Sequence, residues 1–238
     1  FQFHRVFHAI NDFCIVDLSA FYLDVLKDRL YTFAPQSVER RSAQTVLWRI
    51  AEALVRLVAP ILTFTADEVW QYLPRVEGRE ASVHLALFPK AEELGRARPS
   101  VAGTDGLNPV DDDWYWSKLM EMRDEVLKKI EVERQEKRIG KGLGAKVVIS
   151  ASDSKLRALE LFERDLKELF NVSQVQIERL PAGRIAEEDK LIVAVLPAEG
   201  TKCNRCWNYY PEDSENRVRR FGPWDNVCGR CADALTRM

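Results

Sequence analysis

Cys203-Asn-Arg-Cys206 and Cys228-Gly-Arg-Cys231 are separated by 21 residues, and their reading decides how the last 36 residues fold. A two-residue gap lets two thiolates of one turn bind the same ion, and a tetrahedral ion needs a second such turn. The intervening loop is long enough to fold back, and Gly229 eases the second turn. The pattern predicts one structural zinc ion held by Cys203, Cys206, Cys228 and Cys231. Four thiolates fill the coordination shell and leave no position for a catalytic water. A redox pair or a disulfide is the other chemistry open to C-x-x-C spacing. So short a module has little core of its own, and metal binding is expected to supply most of its folding energy.

The same stretch is crowded with rings: Trp207, Tyr209, Tyr210, Phe221 and Trp224. They read first as a miniature core, with one or two, Trp207 among them, left exposed to stack on unpaired bases. Arg217, Arg219 and Arg220 form a basic cluster between the two cysteine turns, either a solvated loop or a phosphate contact.

Outward from this module the chain reads as mainly α and multidomain. Phe3, Val6, Phe7, Ile10, Phe13 and Cys14 recur at helical spacing, continued by Leu18, Phe21, Val25 and Leu26. A second helix places Ala43, Val46, Leu47, Ile50, Leu54, Leu57 and Val58 on one face and is ended or bent by Pro60. Thr65-Ala-Asp-Glu68 reads as a capping box opening a third, short helix that stops at Pro74. Residues 1–75 are therefore expected to form a helical bundle, and residues 76–112 a Gly- and Pro-rich connector with one extended piece at Ser82–Leu87. Residues 113–199 follow as a long helix reaching about Arg138, stopped by Gly140, and a small α+β unit. In that unit Lys146–Ile149, Val172–Ile177 and Lys190–Leu196 read as strands. One helix bearing Leu156, Leu159, Leu166, Leu169 and Phe170 separates the first two, and the third could pair with the second across the Pro181-Ala-Gly183 loop. Residues 200–238 are the zinc finger.

Composition narrows function. The formal net charge is −2, which argues against a general DNA-coating protein. By segment the balance is zero over residues 1–75, −4 over 76–199 and +2 over 200–238, so nucleic-acid contact must come from local basic clusters. No apolar run approaches bilayer-spanning length, and no membrane partner is expected. Four clustered cysteines and a lone Cys14 in an apolar helix suit a reducing cytoplasm. His4 and His8, with Asp12 a turn on, make a weak metal face among apolar neighbours. Gly140-Lys-Gly-Leu-Gly144 is only loosely like a phosphate loop, because it follows a helix and lacks Lys-Ser/Thr after its last Gly. No nucleophile, base and orienting acid can be argued from spacing.

The run Asn11-Asp-Phe-Cys-Ile-Val-Asp-Leu-Ser-Ala-Phe-Tyr-Leu-Asp-Val-Leu-Lys-Asp-Arg-Leu-Tyr31 resembles the anticodon-binding helical domain of bacterial isoleucyl-tRNA synthetases. The likeness continues in Arg40-Arg-Ser-Ala-Gln-Thr-Val-Leu-Trp-Arg-Ile50 and Ala59-Pro-Ile-Leu-Thr-Phe-Thr-Ala-Asp-Glu-Val-Trp70. Cys203-Asn-Arg-Cys-Trp-Asn-Tyr209 and Cys228-Gly-Arg-Cys-Ala-Asp-Ala-Leu235 resemble that family's C-terminal zinc finger. The family's nucleotide-binding signatures and its editing domain are absent, and Gly140–Ala145 only partly resembles the family's usual stretch.

The resemblance implies the anticodon-recognition part of an isoleucine–tRNA ligase. Its ATP-dependent aminoacylation would lie in catalytic and editing domains upstream, with zinc as the only cofactor here and no catalytic site. Its partners would be isoleucine tRNA and those missing domains, in an expected monomer. Candidate RNA contacts are Lys27, Arg29, Arg40, Arg41, Arg217, Arg219, Arg220 and Trp207, chosen as cations near helix ends or loops and one ring beside a cysteine turn. Two alternatives of other classes stand beside it: a zinc-stapled protein-interaction module, and the zinc-finger part of a DNA-glycosylase-like protein.

Overall fold

The computed structural model describes residues 2–94, 109–180 and 191–237. It resolves into two compact units, one made of Phe1–Ala34 with Ser100–Met238, the other of Pro35–Pro99. The division falls after residue 34, inside the stretch expected to form one bundle, so the helices of residues 1–75 do not share one core.

In the larger unit α1 (Phe3–Asp12) runs into a π-helical stretch (Phe13–Tyr22), α2 (Leu23–Val25) and α3 (Lys27–Thr32). The continuous helix Phe3–Val25 is 23 residues long with mean hydropathy 1.3 over its most apolar window. That corrects the expectation that no run approaches membrane-spanning length. Its far end is claimed by protein, however: Phe21 and Val25 pack against the α+β core.

α4 (Val38–Val58) and α5 (Thr63–Tyr72) form the smaller unit with a 3₁₀ turn at Val83–Leu85 and a short α6 (Ala91–Leu94). Ser37 caps α4 by accepting the Arg40 amide at 3.3 Å. The buried residues of α4 are Ala43, Ala53 and Val55, while Val46 and Leu57 face out, so the inward stripe is rotated from the one the spacing suggested. Val55, Ala59, Ala66, Trp70 and Val83 make the core. Two local expectations fail here. α5 begins at Thr63 with no side-chain cap, so Thr65 lies inside the helix and the capping box does not form. Ser82–Leu87 is not extended throughout: Asp67 accepts from Ser82 and from the Val83 amide and winds the piece into a 3₁₀ turn.

α7 (Pro109–Gln135) buries Leu119, Met122, Val126 and Ile130 against the sheet, as its periodicity predicts. It runs through Asp111–Asp113 instead of starting after them. It ends before Gly140 because Lys137 takes the left-handed conformation, φ 59°, with Arg138 and Ile139 amides returning to the Glu133 carbonyl.

β1 (Ala145–Ala151) alternates buried and half-buried residues, with Ala145, Val147, Ile149 and Ala151 inward. The helical connection is two pieces, α8 (Asp153–Leu161) and α9 (Leu166–Phe170), not one. β2 (Gln174–Arg179) pairs with β1 in parallel, as a helical crossover requires. β3 (Leu191–Pro197) pairs antiparallel with β1, not with β2, giving the order β2-β1-β3. The Pro181–Gly183 loop lies outside the described residues.

The end of the chain folds around its cysteines. β4 (Thr201–Lys202) and β5 (Tyr209–Tyr210) flank the first cysteine turn, and β6 (Arg219–Phe221) and β7 (Trp224–Val227) lead to the second. α10 (Gly229–Thr236) starts directly after Cys228. Gly200, at φ 90°, is required: a Cβ there would stand 2.0 Å from the Tyr210 carbonyl oxygen.

Candidate metal centre and nucleic-acid interface

The four cysteine sulfurs lie within 4.8 Å of one another and all four residues are buried, with none in a disulfide. The chain holds this geometry through its backbone. The Cys203 amide donates to the Asn208 carbonyl at 2.9 Å, and Trp207 closes the first turn with its amide on the Cys203 carbonyl at 3.0 Å. Trp207 sits at φ 65°, a left-handed position a non-glycine residue rarely takes, and its ring is thereby thrown outward. The Cys228 amide donates to Cys203 Sγ at 3.2 Å, joining one cysteine turn to the other.

The donor set fits a tetrahedral ion. A metal–sulfur bond of about 2.3 Å places tetrahedral sulfurs about 3.8 Å apart, and Cys206 Sγ lies 3.8 Å from Cys228 Sγ. Packed this closely, the thiols share protons. Hydrogen bonds from Cys206, Cys228 and Cys231 pull Cys203 far below the ordinary thiol range, while Cys231 is pushed up by its hydrogen bonds to the other three. A cation is the natural replacement for those protons. Around the sulfurs lie Val218, Val227 and Ala232, with Tyr210, Phe221 and Trp224 packed on them. Burial, reinforced by the Cys206 charge, pushes the Tyr210 phenol up.

Beside this centre opens a cleft of about 710 Å³, walled by α3, by the loop from Lys141 to Leu143, by the end of α9 and by the first cysteine turn. Its cations are Lys27, Lys141, Arg164, Lys167, Arg205 and Arg230, against the anions Asp24, Asp28 and Glu168. Two rings on the wall are exposed, Trp207 at 54% and Tyr31 at 74%. Lys141 and Lys202 place their ammonium groups 5.8 and 5.7 Å from the Trp207 ring centre. Asn171, Asn208 and Asn216 add amide groups to the lining. The Gly140–Gly144 stretch belongs to this wall as a packing element. A Cβ on Gly142 would meet the Asn171 carbonyl oxygen at 2.8 Å, and Ser173 donates to the Leu143 carbonyl.

The candidate contact residues divide. Trp207 and Lys27 face the cleft, although Lys27 also pairs with Asp24 at 2.6 Å. Arg29 is engaged elsewhere. Its guanidinium binds both Asp165 and Glu168, fastening α3 to α9. Burial raises Glu168 above the usual carboxylate range, and Arg29 opposes that rise. Arg217, Arg219 and Arg220 are exposed around the β6–β7 hairpin. There Arg219 lies 4.6 Å over Phe221, and Arg220 pairs loosely with Asp225. Arg41 lies in the smaller unit, in a shallow groove with Pro35, Gln44, Trp48 and Pro74, and binds Gln36 at 2.8 Å. Arg40 is half-buried on the same helix. His4 and His8 are both exposed, and the cysteine group is the one metal-competent cluster among the described residues. Sequence reading passed over Lys141, Lys167, Tyr31, Arg205 and Arg230, because nothing local marks residues that only the fold gathers.

Helices joined to a small sheet, a four-cysteine cluster and a cleft with more cations than anions and two exposed rings are the features the site presents. The family described as the anticodon-binding domain of tRNA ligase matches residues 1–149, and the chain belongs to that family. Among curated proteins it is similar to the isoleucine–tRNA ligase of Desulforamulus reducens, 42% identical over 99% of this chain. It is similar also to that of Natranaerobius thermophilus, 38% over 99%, and that of Histophilus somni, 40% over 98%. The chain spans about a quarter, 24%, of the length of each of these relatives.

Proposed function

We propose that this chain is the part of an isoleucine–tRNA ligase that recognises the anticodon end of isoleucine tRNA. The observation that carries the reading is the cleft. Cations outnumber anions along it, and two rings stand exposed where unpaired bases could stack. Lys27, Lys141, Arg164 and Lys167 would take phosphates, Trp207 and Tyr31 would stack bases, and Asn171, Asn208 and Asn216 would read base edges. Arg217, Arg219 and Arg220 would add phosphate contacts at the hairpin, with Arg40 and Arg41 as candidates on the smaller unit. Arg29, already held by two carboxylates, drops out.

The ion is zinc in this reading, because an all-thiolate tetrahedral set is a structural zinc site. When bound it supplies folding energy and no chemistry, since four thiolates leave no open position. ATP and isoleucine would belong to the catalytic domain of the whole enzyme, an ATP-dependent ligase acting with an editing domain, as a cytoplasmic monomer. Functionally, residues 1–75 would be the anticodon-binding helices, 76–112 a connector, 113–199 the α+β support and 200–238 the zinc module. The family match through residue 149 covers helices that neither a DNA-glycosylase fragment nor a general docking module would need.

Nuclease footprinting of an isoleucine tRNA transcript with the zinc-loaded chain tests this. Protection is expected at the anticodon loop and its closing stem. Protection confined to the acceptor arm, or none at concentrations that shift the RNA, would sink the reading.

A further inference from the structure

Each cysteine turn carries an arginine directly before its second cysteine, Arg205 in the first and Arg230 in the second. Both reach the same short helix, about 170 and 200 residues away in sequence respectively, and they hold it at opposite ends. Arg230 forms a bidentate pair with Asp28 in the first turn of α3, at 2.7 and 2.9 Å, and its guanidinium lies 4.4 Å over the Phe33 ring just past the helix end. Arg205 donates to the Thr32 carbonyl, one of the groups a helix C-terminus leaves without an internal partner. The same Arg205 nitrogen lies 3.6 Å from Cys231 Sγ, so one guanidinium touches both a thiolate of the metal centre and the end of the helix. Burial works against the charge on Arg230, but Asp28, Tyr210 and Cys206 together outweigh it and the group is held above its ordinary value.

α3 needs such help. It has six residues, whereas an isolated helix is marginal below about 12–15 residues. Its own side chains supply a local lock, Thr32 Oγ1 on the Asp28 carbonyl oxygen at 2.9 Å, and one tie to α9 through Arg29. It also carries Lys27 and Tyr31, which line the cleft.

We infer that Arg205 and Arg230 are positioning residues that make the order of α3 depend on the bound metal. The ion fixes the two cysteine turns, the turns aim the two guanidiniums, and the guanidiniums hold α3 so that it forms one wall of the RNA cleft. Metal loss would thus loosen a helix that contains no metal ligand. The coupling goes beyond the RNA-recognition reading and is testable without RNA. Its consequence for the cleft rests on that reading.

The test is amide hydrogen exchange on the full 238-residue chain, loaded with one zinc by elemental analysis or stripped with EDTA. In the native sequence, stripping should speed exchange across residues 27–33 by at least about tenfold, the scale of one charged hydrogen bond removed. In zinc-loaded Asp28→Asn, which loses the Arg230 ion pair and keeps the Arg205 contact, residues 27–33 should exchange faster than in the native chain and respond less to EDTA, while zinc content and protection of residues 203–231 stay native. Arg205→Ala combined with Arg230→Ala should do the same. If that pair does not fold, Asp28→Asn decides alone, since it alters no residue of the metal module.

Residues 27–33 indifferent to EDTA in the native chain, or fully responsive in Asp28→Asn, would overturn the proposal. The RNA arm has an opposed sign. Removing an anion from a basic cleft should tighten binding by charge alone, whereas losing the clamp should weaken it severalfold. Tighter binding by Asp28→Asn would refute the claim that the clamp shapes the cleft. Altered exchange with no RNA binding by any form would leave the coupling standing and sink the RNA reading instead.

Discussion

The α+β unit and the cysteine module fold by different physics. The first buries Leu119, Val126, Val147, Ile149, Leu159, Leu166 and Phe170 almost completely, from its helices and the central strand. The second encloses four cysteines with Val218, Val227 and Ala232, hardly an apolar core at all. At roughly 25 cal/mol per Å² of apolar surface buried, the first can stand on burial, while the second would depend on the proposed ion. Stability in this chain would then have two sources that can be removed separately.

The largest effect expected is metal removal. EDTA, or Cys203→Ser, should abolish ordered structure across residues 200–237 and leave residues 145–179 protected, read by hydrogen exchange or by backbone amide NMR. A stripped sample with an intact module would erase the contrast between the two regions. Acid should imitate the chelator, because protons compete with the ion for the thiolates, so metal affinity falls as pH falls. Zinc release followed with a chromophoric chelator checks the sign, and release that grew as pH rose would contradict it. The converse change lies in the sheet: Ile149→Ala should cost about 2–5 kcal/mol of unfolding free energy while zinc content stays at one per chain. Denaturant melts with metal analysis of the same sample would detect it.

How much of this was legible in the residues follows the same division. The gathering of the four cysteines into one buried, metal-competent cluster was legible, since C-x-x-C spacing is local and each turn declares its own thiols. The strand β1 was legible in the β-branched run Val147-Val148-Ile149. Its partners were not, because the apolar run Leu191–Leu196 carries no mark of register, and β1 offered two edges. The stop of α7 was misplaced because glycine is the usual left-handed residue, yet Lys137 takes that role when Arg138 turns to bind Glu133. The cleft was legible only through Lys27 and Trp207, not as an assembled site. Lys27, Lys141, Lys167 and Trp207 come from four elements, and Arg29, a cation near a helix end, looked like an RNA-binding residue until Glu168 and Asp165 were found beside it.

Smaller effects separate the ring from the charges within the proposed RNA interface. Trp207→Ala should cost about 1–3 kcal/mol of RNA binding, the worth of one stacked base, with no loss of zinc. Arg219→Ala with Arg220→Ala should flatten the salt dependence, by about 0.7 in log–log slope for each phosphate of single-stranded RNA no longer neutralised. Filter binding from low to moderate salt resolves both. An unchanged slope would return those arginines to the role of a solvated hairpin.

The most direct test of the central claim is a binding titration of the zinc-loaded chain against isoleucine tRNA and the same tRNA with a substituted anticodon, across a salt series. The account predicts weak binding that favours the native anticodon at every salt concentration and falls steeply as salt rises. Equal affinity for the two RNAs throughout the series would contradict it and leave the chain as a metal-stapled scaffold.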